Sequence, residues 1–288
     1  PILNAPENDI LAFFGVGTDP VTMAFTVRDS TGISRELSLT STNFQIPTVM
    51  QRSEITQGAD TIGYLMFDSF LETSRTELID AFDAFDAAGI NELILDLRYN
   101  RGGRVDIAAL LASLILGQTG NEQIFTTFAL NNKYEALNQS INFPTSTVET
   151  SLNRVVVLTT EESCSASELI INGLEPFMDV VVIGAATCGK PYGSVGREAC
   201  EKQMNALQFE FVNANGVGGY YQGIAADCQV ADDVDHGLGD QSEGLLSAGL
   251  AYLQDGTCQS GVTREKPTAI RSWRPYDPAR NLLDAYLQ

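Results

Sequence analysis

Positive charge is scarce in this chain. Lysine plus arginine number 17 against 37 aspartates and glutamates, leaving a formal net charge of −20 and a pI near 4.2. Phosphate backbones and anionic membrane surfaces are repelled by such a chain, which argues against nucleic acid as a partner. Groups able to take a proton are few, because the sequence holds one histidine, His236, and four lysines, Lys133, Lys190, Lys202 and Lys266. No apolar run approaches the ~20 residues needed to cross a bilayer, so no integral membrane span is expected. A basic stretch leading into an apolar one, as in a targeting peptide, is also missing. None of the five cysteines forms a C-x-x-C pair, which excludes a zinc knuckle or a thioredoxin-type site. Disulfides are the better reading, and sequence proximity pairs Cys188 with Cys200 and Cys228 with Cys258, leaving Cys164 free.

What is present describes a globular chain of 288 residues, 44% hydrophobic and 19% charged, long enough for one large domain or two smaller ones. Residues 1 to about 50 alternate and break in the manner of short hairpins, with Val21 to Val27 the clearest strand. From Thr61 strands and helices alternate. The spacing predicts strands over 62–67, 92–97, 124–129, 154–158, 180–183 and 207–212. Helices are predicted over 74–88, 105–116, 165–174 and 243–253. That order implies an α/β core.

Three segments could carry chemistry. Ser165 stands in Ser163-Cys164-Ser165-Ala166-Ser167-Glu168, between a buried strand and a helix. Taken locally, Ser165 and Glu168 are a capping box that satisfies free amides at a helix start. A serine nucleophile needs a base, and a lysine held neutral by burial can serve. Lys190 follows the strand over 180–183, which in a parallel unit brings it to the same sheet edge as Ser165; taken locally it is an ordinary surface lysine. The third segment runs Asp96-Leu97-Arg98-Tyr99-Asn100-Arg101-Gly102-Gly103, a strand end entering a double glycine whose bare backbone can aim amides at an oxyanion. His236 lies in an acidic loop, Asp232 to Asp240, whose spacing fits no EF-hand. A Ser-His-Asp hydrolase would have to use His236, and the G-x-S-x-G elbow is missing.

Taken together over Thr61 to Val230, the three segments resemble peptidase family S41, the carboxyl-terminal processing or tail-specific proteases. That family's pattern is D-L-R-x-N-x-G-G, then S-A-S-A-S-E opening a helix, then a strand leading to G-K, with nucleophile and lysine 25 positions apart, as Ser165 and Lys190 are. The resemblance implies Ser165 as nucleophile, Lys190 as general base and Glu168 as the acidic residue beside them. It further implies oxyanion donors at the amides of Gly103, or its neighbour Gly102, and Ala166. One departure stands out: G-K-G-x-x-Q is usual, and here Gly189-Lys190-Pro191-Tyr192-Gly193-Ser194 puts Ser194 where a glutamine often supports the lysine.

The fold this implies is an α/β, crotonase-like catalytic core over 53–235, preceded by a PDZ-like β segment over 1–52 that matches only the second half of such a domain, and followed by a C-terminal helix and tail over 236–288 packing on the core. A chain beginning inside a PDZ domain reads as a fragment. The expected activity is serine endopeptidase cleavage of polypeptides near their carboxyl termini, with small or apolar residues in the pocket and no cofactor or metal. The alternatives are a catalytically silent peptide-binding homologue and a crotonase-like acyl-CoA enzyme, the latter short of basic contacts for its nucleotide. Family habit and expected disulfides imply an exported protein, periplasmic or lipid-anchored.

Overall fold

A computed structural model describes residues 20–28, 31–42, 44–149, 152 and 154–258. The chain divides into two compact units, Pro1–Ile46 and Pro47–Gln288. Within the first, β1 (Thr22–Arg28) and β2 (Ser34–Thr40) pair as an antiparallel hairpin, Thr22 opposite Thr40 and Arg28 opposite Ser34. Met23, Phe25 and Val27 are the half-buried positions of β1, the alternation expected of a strand with one covered face.

The second unit is built on a six-stranded sheet. In chain order it opens with β3 (Val49–Gln57), β4 (Asp60–Phe67), α1 (Ser74–Ala88), β5 (Glu92–Asp96) and α2 (Val105–Leu116). Next come β6 (Ile124–Leu130), β7 (Gln139–Asn142), β8 (Arg154–Thr159), α3 (Ala166–Leu174) and β9 (Asp179–Gly184). The short strands β10 (Tyr192–Ser194), β11 (Arg197–Ala199) and β12 (Lys202–Met204) precede β13 (Leu207–Val212), β14 (Cys228–Gln229) and α4 (Gly244–Asp255). The main sheet runs β14-β9-β8-β5-β4-β3, parallel throughout except for the antiparallel edge β3. A second, antiparallel sheet runs β10-β13-β6-β7, and β11 with β12 forms a separate hairpin.

Period-two geometry explains why the central strands are apolar on both faces. Leu93, Leu95, Val155 and Val157 point into one cluster with Leu78, Phe82 and Phe85 of α1, Ile107 and Leu111 of α2, and Leu169 and Ile170 of α3. Ile94, Val156 and Leu158, one residue out of phase, point into another with Leu245, Leu246, Leu250 and Leu253 of α4. Helices therefore cover both faces of the sheet. The helix expected after 236 to pack on the core covers the second face of the sheet, and the boundary expected after residue 52 falls inside β3. The tail beyond 258 and the chain before residue 20 lie outside the described residues.

This topology positions the site. The parallel strands β5, β8 and β9 all end at one edge, and the segments leaving them carry Gly102 and Gly103, Ser165, and Lys190 respectively.

Candidate active site

The segment after β5 is held rigidly from below. Arg98 is fully buried and forks onto Asp96, Nη2 to Oδ2 at 2.7 Å and Nε to Oδ1 at 3.0 Å, while its Nη1 donates to Glu243 Oε1 at 2.8 Å. The Tyr64 hydroxyl donates to Asp96 Oδ2 at 2.8 Å. Glu243 in turn caps α4, accepting from the amides of Leu245 and Leu246. Burial alone would favour a neutral Arg98, yet the paired carboxylates outweigh it and keep the guanidinium firmly charged. Asn100 fixes the far end: its Nδ2 donates to the Phe67 carbonyl at 2.7 Å and its Oδ1 accepts from the Gly102 amide at 2.9 Å.

The same residue reaches the segment after β8, because the Asn100 carbonyl accepts from the Cys164 amide at 3.0 Å and from Ser167 Oγ at 2.9 Å. Ser165 follows at the N-terminus of α3 with φ 58° and ψ −106°, a conformation that side chains resist and that costs about 1–3 kcal/mol. Gly102 lies so close beneath it that a Cβ there would meet Ser165 Cβ at 2.9 Å and the Cys164 carbonyl oxygen at 2.6 Å. Glycine is required at 102 by this approach as well as by its φ of 92°.

Glu168, fully buried, is the junction of the site. Its Oε2 accepts from the Ser165 amide and the Lys190 amide, each at 2.8 Å. Its Oε1 accepts from Thr187 Oγ1 at 2.6 Å and the Gly189 amide at 2.7 Å. One carboxylate thereby sets the backbone of the segment after β9 against the start of α3. The capping box read from the sequence is part of this arrangement, since Glu168 bonds backbone on both sides.

Ser165 and Lys190 line one cavity of about 180 Å³ with Gly103, Val105, Tyr192, Gly193, Ser194, Leu207, Phe209 and Phe211. Val105, Leu207, Phe209 and Phe211 line it beside the polar Ser165, Lys190 and Ser194. Burial, reinforced by nearby Glu210, pushes the Tyr192 phenol up to about 12, so that wall residue is neutral across the physiological range. The amides of Gly103 and Ala166 have no hydrogen-bond acceptor among the described residues, whereas the Gly102 amide is taken by Asn100. Lys190 is exposed, contrary to a lysine shielded by burial, because the cavity opens to solvent past exposed Ser194 and Leu207. Its amine has no hydrogen-bond partner among the described residues.

Two cysteine expectations are corrected. Cys164 is bonded to Cys188, with Cα atoms 5.2 Å apart, and exposed Cys200 is the free thiol. Nearness in sequence misled: Cys188 turns back so that its amide donates to the Ser163 carbonyl at 3.1 Å, while Cys200 sits in the turn between β11 and β12. Cys228 does pair with Cys258. Cys164, Glu168 and Cys188 cluster within 4.8 Å, a spacing a metal could use, but both sulfurs are consumed by the disulfide and the carboxylate is saturated by donors. His236 is exposed and bonds Asp233 through Nδ1 at 2.8 Å, a contact that raises its pKa. It does not line the cavity. Sequence reasoning missed Asn100, Thr187 and Glu243, which reach across the fold to Phe67, Glu168 and Arg98 respectively. The one local signal was an acidic residue at the start of the last helix, the position of a cap.

The model of Peptidase family S41 matches residues 61–230. A carboxy-terminal processing protease, CtpA, of Bacillus subtilis is 30% identical over 135 residues, 46% of this chain and 26% of that protein. A carboxyl-terminal-processing protease of Picosynechococcus is 24% identical over 170 residues, 59% of this chain and 39% of that protein. The chain thus spans well under half the length of these relatives. Among solved structures, one from Bacteroides fragilis described as an S41 protease is 25% identical with a TM-score of 0.68, covering 83% of this chain and 67% of that one. The photosystem II D1 C-terminal processing protease, 19% identical with a TM-score of 0.54 over 75% of this chain and 57% of its own, shares the fold.

Proposed function

The chain belongs to peptidase family S41, and from that premise we propose that it is a serine endopeptidase in which Ser165 and Lys190 act as a dyad. The observation that carries the reading is that both residues line one cavity with Gly103, and that the amides of Gly103 and of Ala166, the residue after Ser165, have no acceptor among the described residues. Ser165 Oγ attacks a peptide carbonyl carbon as neutral Lys190 Nζ takes its proton. The carbonyl oxygen, now an oxyanion, is received by the Gly103 and Ala166 amides; Gly102, its amide engaged, instead shapes the turn. Lys190 returns the proton to the departing amine, and water then releases the acyl group from Ser165. Only the neutral amine can act as base. A polypeptide seated in the cavity covers exposed Lys190 and strips its water. Ser194 lines the same cavity without a bond to the amine.

Phe209, Phe211, Leu207 and Val105 suit an apolar side chain next to the scissile bond, and the relatives' names point to cleavage near a carboxyl terminus. Two disulfides support an exported protein in an oxidising compartment, periplasmic or lipid-anchored. No described helix is long and apolar enough to cross a membrane. The hairpin of β1 and β2 is read as part of a PDZ-like segment.

The competing reading, a silent peptide-binding homologue, draws on the exposure of Lys190. Hydrolysis of fluorescently labelled casein separates the two: the peptidase reading predicts turnover that Ser165→Ala and Lys190→Ala each abolish. Casein bound but uncut by the unaltered protein supports the silent reading.

A further inference from the structure

Resting on the dyad reading above, we infer that the Cys164–Cys188 disulfide is a positioning element of the active site, and that its reduction by a dithiol lowers catalysis without unfolding the protein. The bond joins the residue immediately before Ser165 to the residue two before Lys190. It is therefore a covalent tie between the backbones that carry nucleophile and base. The tie matters because of what else holds Lys190. Its amine has no partner among the described residues, so its place is set by backbone alone, and Ala186, Cys188 and Lys190 are all exposed. Thr187 between them is buried, so the segment presents alternate residues to solvent. Within the segment the noncovalent restraints are the amides of Gly189 and Lys190 on Glu168, the Cys188 amide on Ser163, and Thr187 on Glu168 and Ile224. A displacement of about 1 Å in a reacting group can cost on the order of 100-fold in rate. An exposed segment carrying the base is where a covalent restraint has most effect.

The chemistry of release is accessible. Cys188 is exposed and Cys164 half-buried, whereas Cys228 of the other disulfide is buried. A dithiol reductant attacks Cys188 Sγ as thiolate, displacing the Cys164 thiolate and forming a mixed disulfide. Its second thiol then closes on the first, freeing the Cys188 thiolate. Two electrons pass to the protein, both sulfurs take up protons, and the reductant leaves as a cyclic disulfide. A disulfide oxidant reverses the exchange.

The test uses the full chain carrying Cys200→Ala, which removes the thiol that could reshuffle the bridges. Labelling of Ser165 by a fluorophosphonate probe and kcat and KM on labelled casein are measured before dithiothreitol, after it, and after reoxidation. Thiol alkylation with mass readout reports which bridge is open, and far-UV circular dichroism reports the fold. The expected result is a fall of tenfold or more in labelling rate and kcat, with KM within about twofold, unchanged circular dichroism, and recovery on reoxidation. Cys164→Ser with Cys188→Ser shows the same low rate and no response to dithiothreitol; Cys228→Ser with Cys258→Ser responds as the parent does. Rates within twofold with the 164–188 bridge open overturn the inference. So does a loss of rate that tracks loss of secondary structure, since the bond would then serve global stability. Absence of Ser165 labelling in the oxidised protein strikes the dyad reading instead.

Discussion

Replacing Glu168 by glutamine changes one buried atom and little else, so its effect can be worked from the hydrogen bonds. The carboxylate accepts four, two on each oxygen. A glutamine can face them in two ways. With its NH2 toward Ser165 and Lys190, two amide donors meet a donor, and two charge-assisted bonds are lost at about 1.5–3 kcal/mol each. With its NH2 toward Thr187 and Gly189, the Thr187 hydroxyl can accept in place of donating, and only the Gly189 amide is orphaned. The second orientation wins, and Glu168→Gln is expected to cost about 2–3 kcal/mol, the loss of one such bond plus a buried donor without a partner. Glu168→Ala loses all four, about 6 kcal/mol or more on the same count, a large part of the 5–15 kcal/mol that holds a typical domain. Urea unfolding measures both, and the labelling rate of Ser165 by a fluorophosphonate measures the site. Glu168→Gln is expected to slow labelling as well, because the freed Gly189 amide adjoins Lys190. Stability within about 0.5 kcal/mol of the parent would refute the view that this carboxylate ties the segments together.

Arg98→Met leaves the buried Asp96 and Glu243 facing each other without their cation; it is expected to cost about 3–5 kcal/mol in urea unfolding, and a loss below 1 kcal/mol would contradict the network. At position 165, glycine is expected to be more stable than alanine by about 1–3 kcal/mol, since both lack the hydroxyl and only glycine escapes the strain of φ 58°; equal melting temperatures would show that the turn relaxes. Glu77 accepts from the amides of Thr48 and Val49 and from the Thr48 hydroxyl. Partial burial raises its pKa, but those three bonds outweigh it and hold the carboxyl below its usual range. Its contribution is present above the unfolded-state value and is lost as pH falls through the depressed folded value. Glu77→Ala is therefore expected to lower stability at pH 7 by about 1.5–3 kcal/mol and to approach the parent in acid; a pH-independent difference would assign the effect to packing.

The parts of the fold written in local periodicity were legible: Ser74–Ala88 and Val105–Leu116 begin and end where the apolar spacing places them. Strand β3 was not, because its inward positions Gln51 and Ser53 are polar while Met50 faces solvent, which blurs the alternation that Val49 and Ile55 keep. Strand β14 has two residues, too few for any pattern. At the site, Ser165, Lys190 and the glycines could be named from motif and spacing, and the cavity does gather Ser165, Lys190, Gly103 and Ser194. What holds them could not. The Arg98 to Glu243 contact spans 145 positions, and the Cys164–Cys188 bridge depends on a turn that no local pattern encodes.

The dyad itself is tested most directly by incubating the oxidised protein with a fluorophosphonate and locating the adduct by peptide mass spectrometry, in the parent and in Lys190→Ala. The account predicts a single adduct on Ser165 that is lost in Lys190→Ala with circular dichroism unchanged. Labelling of Ser165 that proceeds at the parental rate in Lys190→Ala would contradict it.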